Sequence, residues 1–216
     1  AAQLAGIKNS AALMTELFNL SSRAKEKPLC EYVEYLVGAG CRFLLFAHLR
    51  ATLDYLEESL RKAKARYIRI DGSVSQSART ARVQEFQSDP GVQVALLSIT
   101  ACGQGLNLQT ASTVVFAELY WVVGQMLQAE DRVHRVGQDA SVNIHYLIAP
   151  GTLDDVMYDV LNRKHRDTTA TLDGSRKVLD AERVAGGTGA FSADGGLVAS
   201  QASAAAADMV AEGDVD

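Results

Sequence analysis

The sequence has no run of about 18 apolar residues, so it predicts no membrane-spanning helix. No secretory signal, with a basic start, an apolar middle and a small-residue cleavage site, is present. The three cysteines, Cys30, Cys41 and Cys102, are widely spaced and odd in number, which excludes a disulfide framework and a CxxC metal site. An intracellular, reducing compartment is therefore expected. Because the chain starts at Ala1 and not at Met, we expect a fragment or a trimmed product.

The sequence also lacks the usual machinery for nucleotide hydrolysis. No GxxxxGK(S/T) motif occurs, so the chain has no phosphate-binding P-loop, and no acidic pair ends a predicted strand to hold Mg²⁺. The four histidines have no metal-ligand spacing, so no metal site is predicted. We therefore expect this chain alone to be inactive towards ATP.

The formal net charge of −5 is unevenly distributed. Arg183 is the last basic residue, and five of the 26 acidic residues follow it, which leaves 21 acidic residues against 21 basic ones before that point. A balanced domain binds nucleic acid only through a local basic patch or a partner domain. Overall charge therefore neither supports nor excludes DNA binding.

Strand-like and helix-like segments alternate along most of the chain, which predicts an α/β fold with a mostly parallel sheet and helices on both faces. We expect a helical lead-in at residues 1–27, the α/β domain at 28–172 and a low-complexity, acidic, disordered tail at 173–216. The five short, apolar predicted strands are Phe43–Ala47, Tyr67–Ile70, Val92–Ser98, Thr113–Ala117 and Val142–Ile148.

Polar residues follow the first four predicted strands, at the sheet edge where α/β proteins bind ligands. These residues are His48 and Arg50, then Asp71, Gly72 and Ser73, then Ser98, Thr100, Gly103, Gly105 and Asn107, and finally Glu118 and Tyr120. The third group lies in the sequence SITACGQGLNL, whose small residues let backbone amides approach a phosphate closely. A tight turn after the strand explains the same glycines, so both interpretations stay open.

The sequence QAEDRVHRVGQ places Gln128, Arg132 and Arg135 near one face of a predicted helix. Two forked guanidinium groups on one helix edge suit a polyphosphate or a carboxylate. An exposed helix end with salt bridges is the alternative. The basic run from Arg61 to Arg69 has the same two interpretations, as a solvated helix face or as a phosphate contact.

Together these segments resemble a known family. In order, FLLFAH, YIRIDGSVSQSART, VQEFQ, VALLSITACGQGLNL, VVFAELYW and QAEDRVHRVGQ resemble the motifs of the second RecA-like lobe of Swi/Snf-type ATP-dependent DNA translocases in helicase superfamily 2. The resemblance runs from about Cys30 to Arg166. HYLIAPGTLDDVM, with FAELYW, is most similar to the HepA-related annealing helicases that remodel stalled replication forks.

The resemblance implies a role for each matched residue. Arg132 and Arg135 match paired arginine fingers that reach the phosphates of ATP, which a first lobe holds together with Mg²⁺. Gln128 matches the glutamine that orders the same helix edge. Gly105 and Asn107 match positions that approach the nucleotide, and Arg79 matches an arginine that is either functional or structural. The DNA-backbone contacts implied by the resemblance are His48, Gly72, Ser98 and Thr100.

The resemblance thus implies a nuclear DNA-dependent ATPase in replication-fork remodelling and DNA repair, with forked or duplex DNA and an N-terminal RecA-like lobe as partners. Three alternatives are a chromatin-remodelling Swi/Snf lobe, an RNA helicase of the DEAD-box kind and a non-catalytic RecA-like docking module. Intact paired arginines argue against the docking module, and FAELYW and the GQ that ends HRVGQ argue against the RNA helicase.

Overall fold

A computed structural model describes residues 2–103, 108, 110–111, 113–120, 122, 124–126, 143–173, 182–185 and 197–202. The helices are α1 (Ala2–Ala24), α2 (Glu26–Gly38), α3 (Arg50–Lys62), α4 (Gln76–Ser88) and α5 (Leu153–Asp173), with a 3₁₀ turn at Ile99–Gly103. The strands are β1 (Phe43–Ala47), β2 (Tyr67–Ile70), β3 (Val94–Ser98), β4 (Thr113–Phe116), β5 (Asn143–Ile148), β6 (Glu182–Ala185) and β7 (Leu197–Ala202). Within these residues, no helix is long and apolar enough to span a bilayer.

One sheet contains all seven of these strands, in the order β2-β3-β1-β4-β5-β7-β6. Strands β1 to β5 pair in parallel, whereas β7 pairs antiparallel with both β5 and β6. This sheet confirms the predicted α/β fold, and the five predicted strands agree with β1–β5 to within two residues at each end.

Strand β1 lies at the centre of the parallel part and is buried on both faces. Leu44 and Phe46 point into an apolar core that includes Phe86 of α4. Phe43 and Leu45 point into a second core, which α2 and α3 cover. Because successive strand residues face opposite sides, a continuous apolar run such as FLLFA requires helices on both faces.

The structure differs from the sequence analysis in part of the tail that was expected to be disordered. Strand β7 pairs with β5 along the whole of Asn143–Ile148, and β6 pairs with β7. The expectation rested on how little apolar surface the tail can bury, whereas pairing with a strand edge uses backbone N–H and C=O groups. Apart from α5, β6 and β7, the segment 173–216 lies outside the described residues.

A buried ion pair joins the start of the chain to its last long helix. Lys25, which separates α1 from α2, places Nζ 2.7 Å from Asp154 Oδ2, and both side chains are 6% exposed. Lys25 Nζ also donates to the carbonyl of Leu147, and the Ala149 N–H donates to Asp154. The Leu153 N–H donates to Ser21 Oγ at 3.2 Å. These contacts hold the C-terminal end of α1 against the start of α5.

Lys25→Ala should lower the free energy of unfolding by about 3–5 kcal/mol, because it leaves the Asp154 carboxylate buried without its cation. Urea denaturation measures the change. The matched control is Lys27→Ala, since the Lys27 side chain is 87% exposed and only 3.8 Å from Glu31, and it should cost less than about 1 kcal/mol. A Lys25→Ala protein as stable as the control would contradict the role of the pair.

Candidate nucleic-acid interface

Three loops meet at one edge of the sheet because β2, β3 and β1 are neighbours in that order. Ala47 of β1 lies beside Ser98 of β3, and Ile70 of β2 lies beside Leu97. This register brings the residues that follow β1 and β2, His48 and Asp71, level with the end of β3. The carboxyl edge of a parallel sheet is where α/β proteins bind ligands.

A cleft of about 200 Å³ lies between these loops. It is smaller than the ~300–1,000 Å³ pockets that bind most small molecules, so its size suits a single phosphate group better than a whole nucleotide. The structure therefore brings together three of the four predicted DNA contacts, and the fourth, Thr100, hydrogen-bonds through its hydroxyl to Ser98 at 3.0 Å. The lining residues are His48, Arg50, Leu53, Asp71, Gly72, Ser73 and Ser98.

Gly72 has no evident structural reason to be glycine. Its φ angle is not in the left-handed region, and a Cβ atom added to it would meet no atom within 4 Å. Gly40, by contrast, has φ +71° where it follows α2. Glycine where the fold does not require it is consistent with close approach of a ligand to the backbone.

The carboxylate of Glu118 holds the other side of the site together. Glu118 follows β4, is 1% exposed, and accepts hydrogen bonds from the backbone N–H groups of His48 and Leu49 at 2.6 and 2.8 Å. Its other oxygen accepts from Thr52 Oγ1 at 2.6 Å, and Thr52 in turn contacts Ser22 Oγ of α1. Leu49 cannot cap α3 with its own side chain, so Glu118 supplies that cap from a different strand.

The His48 ring is held between two aromatic rings. Phe18 of α1 meets it edge-on at 5.9 Å, and Tyr120 lies 4.4 Å away, both measured between ring centroids. Burial lowers the pKa of His48, and the nearby Glu118 carboxylate opposes this only in part. Because an ordinary histidine pKa is about 6.5, His48 is neutral at pH 7. A neutral imidazole contacts a phosphate as a hydrogen-bond donor and not as a cation.

Arg79 makes structural contacts to the backbone of the site. Its guanidinium group donates to the carbonyl oxygens of Asp71 and Val74, in the loop after β2, and to that of Ala101, in the 3₁₀ turn after β3. These contacts favour the structural interpretation of Arg79. The side chain fixes two of the three loops relative to each other.

The basic run from Arg61 to Arg69 extends from the end of α3 into β2, and most of its side chains form ion pairs with carboxylates. Arg69 contacts Asp54, Glu57 and Asp71 at 2.7–3.0 Å, and its own side chain is only 14% exposed. Arg61 pairs with Glu57 and Glu58, Lys62 with Glu58, and Arg66 with Asp89. The ion-paired helix face is therefore the better interpretation of this run.

Five of the predicted site residues lie outside the described residues, so the structure gives no geometry for them. They are Gln128, Arg132, Arg135, Gly105 and Asn107. The same holds for most of the predicted helix 123–135, of which residues 124–126 are described and helical. Within the described part of the chain, no group of three His, Cys, Asp or Glu side chains could hold a metal ion.

Comparison with known proteins identifies the family. Residues 24–137, more than half of the chain, match the model of the helicase conserved C-terminal domain. The chain belongs to this family. Its relatives confirm the predicted second RecA-like lobe of the Swi/Snf type in helicase superfamily 2.

Two curated relatives and one solved structure illustrate the similarity. The human protein named DNA annealing helicase and endonuclease ZRANB3 is 50% identical over 171 residues, which are 79% of this chain and 16% of that protein. A Xenopus tropicalis SWI/SNF-related matrix-associated actin-dependent regulator of chromatin, subfamily A-like protein 1, is 47% identical over 68% of this chain and 16% of its own length. The crystal structure of the C-terminal part of the Fun30 ATPase domain has a TM-score of 0.55 and 30% identity, and the match covers 58% of this chain and 41% of that one.

The Glu118 cap generates a stability prediction. In Glu118→Gln the amide keeps the shape of the carboxylate and can turn its NH₂ group towards the Thr52 hydroxyl, but the backbone N–H groups of His48 and Leu49 lose a charged acceptor and keep a neutral one. We expect the free energy of unfolding to fall by about 1–3 kcal/mol in urea denaturation. Glu58→Gln on α3 is the control, because Glu58 is 54% exposed and its ion pairs are 3.8 Å long. Equal stabilities for the two variants would show that Glu118 is not the cap we describe.

Proposed function

We propose that this chain is the second motor lobe of an ATP-dependent DNA translocase that acts as an annealing helicase in replication-fork remodelling. The observation that carries the proposal is the cleft at the ends of β1, β2 and β3, which gathers His48, Gly72 and Ser98 on a lobe of the helicase C-terminal family. The chain spans about a sixth of the length of these curated relatives, so the activity of the whole protein is part of the proposal.

In this proposal the cleft binds the DNA backbone. Ser98 and Thr100 place hydroxyl groups at this edge of the sheet, and Gly72 leaves the backbone open to close approach. Such groups contact phosphates without reading bases, so they suit a motor that moves along DNA of any sequence. His48, held by Glu118 and two rings, adds a neutral donor.

The same proposal assigns the ATP-side residues through the family resemblance. ATP and Mg²⁺ bind to a first RecA-like lobe, and Arg132 and Arg135 neutralise charge on the transferring phosphoryl group when the lobes close. Gln128 orders the helix edge that carries them, and Gly105 and Asn107 approach the nucleotide. All five positions fall within the matched residues 24–137. When the two lobes separate after hydrolysis, the DNA contacts of this lobe shift relative to those of the first lobe.

The names of the relatives favour one substrate class over another. Relatives from human, mouse and cattle are named DNA annealing helicases, at 49–50% identity over 170–171 residues. The relatives named as regulators of chromatin match over 148–155 residues at 38–47% identity. These names support the proposal of an annealing helicase, for which we propose a nuclear location, and the chromatin remodeller is the second candidate.

Arg132→Ala in the full-length protein should lower DNA-stimulated ATP turnover by roughly 10³–10⁵-fold, because the transferring phosphoryl group loses a neutralising guanidinium. Steady-state ATP hydrolysis at saturating DNA measures the effect. The matched control is Arg61→Ala, whose side chain is 59% exposed at the far end of α3, and it should keep wild-type turnover.

An Arg132→Ala protein that melts at the wild-type temperature and hydrolyses ATP within a few-fold of wild type would sink the arginine-finger role. The same assay with forked DNA, duplex DNA and RNA separates a fork motor from an RNA helicase. A docking module would give a wild-type protein with no nucleic-acid-stimulated turnover.

A further inference from the structure

The surroundings of the cleft are acidic, which sets a condition on any phosphate that binds there. Arg69 is one positive charge beside three carboxylates, those of Asp54, Glu57 and Asp71. Arg61 offsets part of this charge, but its side chain lies 59% exposed near the end of α3. Hydrogen bonds from Ser73 and the contact with Arg69 lower the pKa of Asp71 although its burial opposes this, so the carboxylate stays charged at neutral pH. A DNA phosphate here needs a cation that no carboxylate has already neutralised.

Arg50 is such a cation. It is exposed, it lines the cleft, and the described part of the chain offers it no ion pair. The acid best placed to neutralise it is Asp54, four residues along the same helix, where side chains are neighbours. Asp54, however, contacts Arg69 at 2.8 Å. The Arg69 cluster thus removes the natural partner of Arg50.

The backbone at the start of α3 does not offer an equivalent charge. The N–H groups of His48 and Leu49 already donate to Glu118, whose carboxylate brings a negative charge to this helix end. His48 is neutral because burial lowers its pKa. Of the residues that line the cleft, only Arg50 carries a positive charge at neutral pH. Among the side chains that line the cleft, Arg50 is therefore the one whose charge can attract a phosphate.

We propose that Arg50 is the electrostatic anchor of the cleft and binds a single backbone phosphate of DNA, with Gly72 and Ser98 beside the same group. This inference rests on the proposed function and adds a residue to which the family resemblance gave no role. The cleft, at about 200 Å³, has room for one phosphate group. Arg50 contributes affinity and not sequence preference, because phosphate contacts carry no base information.

The first test measures the affinity of the full-length protein for DNA as a function of salt concentration. Each neutralised phosphate contributes about 0.9 to the slope of log K against log salt for duplex DNA and about 0.7 for a single strand. Arg50→Ala should reduce the magnitude of the slope by about that amount, and Arg50→Lys should restore it because the charge returns. Lys62→Ala is the control, since it removes one charge from the exposed far end of the same helix, and its slope should match wild type.

The second test locates the phosphate by replacing single DNA phosphates with uncharged methylphosphonates along one strand. At one position the replacement should weaken wild-type binding about tenfold and leave Arg50→Ala binding unchanged, because the contact is already lost. The inference would be overturned if no methylphosphonate position showed this dependence on Arg50, or if the salt slope of Arg50→Ala equalled that of wild type. Either result would leave the motor proposal intact. A wild-type protein whose DNA binding and ATP turnover show no dependence on DNA phosphates would overturn both.

Discussion

The carboxylate of Glu118 is the contact on which the candidate interface depends. It lies at the end of β4, yet its three hydrogen bonds go to the loop after β1 and to the first turn of α3. Buried at 1% exposure, it fixes the backbone of His48 and, through Thr52 and Ser22, reaches α1. A carboxylate that accepts three donors in a low-dielectric interior is costly to disturb. The positions of His48 and Arg50 follow from it.

Charge pairing around β2 completes the site from the other side. Arg69 and Arg79 are both basic residues near the proposed DNA contact, but the side-chain donors of both are engaged within the protein. Arg69 is held by three carboxylates, and Arg79 donates to three backbone carbonyls that fix the loops. Arg50 stays available because Asp54, its neighbour on α3, is paired with Arg69. This pattern explains how a domain with balanced charge presents one local cation to DNA.

The sequence allowed the parallel part of the fold to be predicted, because β1 to β5 are short apolar runs between turn residues. It also allowed us to predict that His48, Gly72 and Ser98 lie at one edge of the sheet, because the carboxyl ends of neighbouring parallel strands meet there. The Glu118 cap was not predicted, because a contact between residues 118 and 48 depends on strand order and leaves no local pattern. Strands β6 and β7 were not predicted, for a related reason. They pair with the edge of the sheet through backbone N–H and C=O groups, which leave no apolar pattern in the sequence.

The most direct test of the DNA-binding role of the cleft is a structure of the full-length protein with forked DNA and a non-hydrolysable ATP analogue. The decisive quantity is the distance between Ser98 Oγ, or the Gly72 backbone nitrogen, and the nearest DNA phosphate oxygen. A hydrogen-bond distance of about 3 Å from either atom is the result our account predicts. Separations of more than about 6 Å for both, with DNA bound elsewhere on the lobe, would contradict it, since neither a direct nor a water-mediated contact spans that distance.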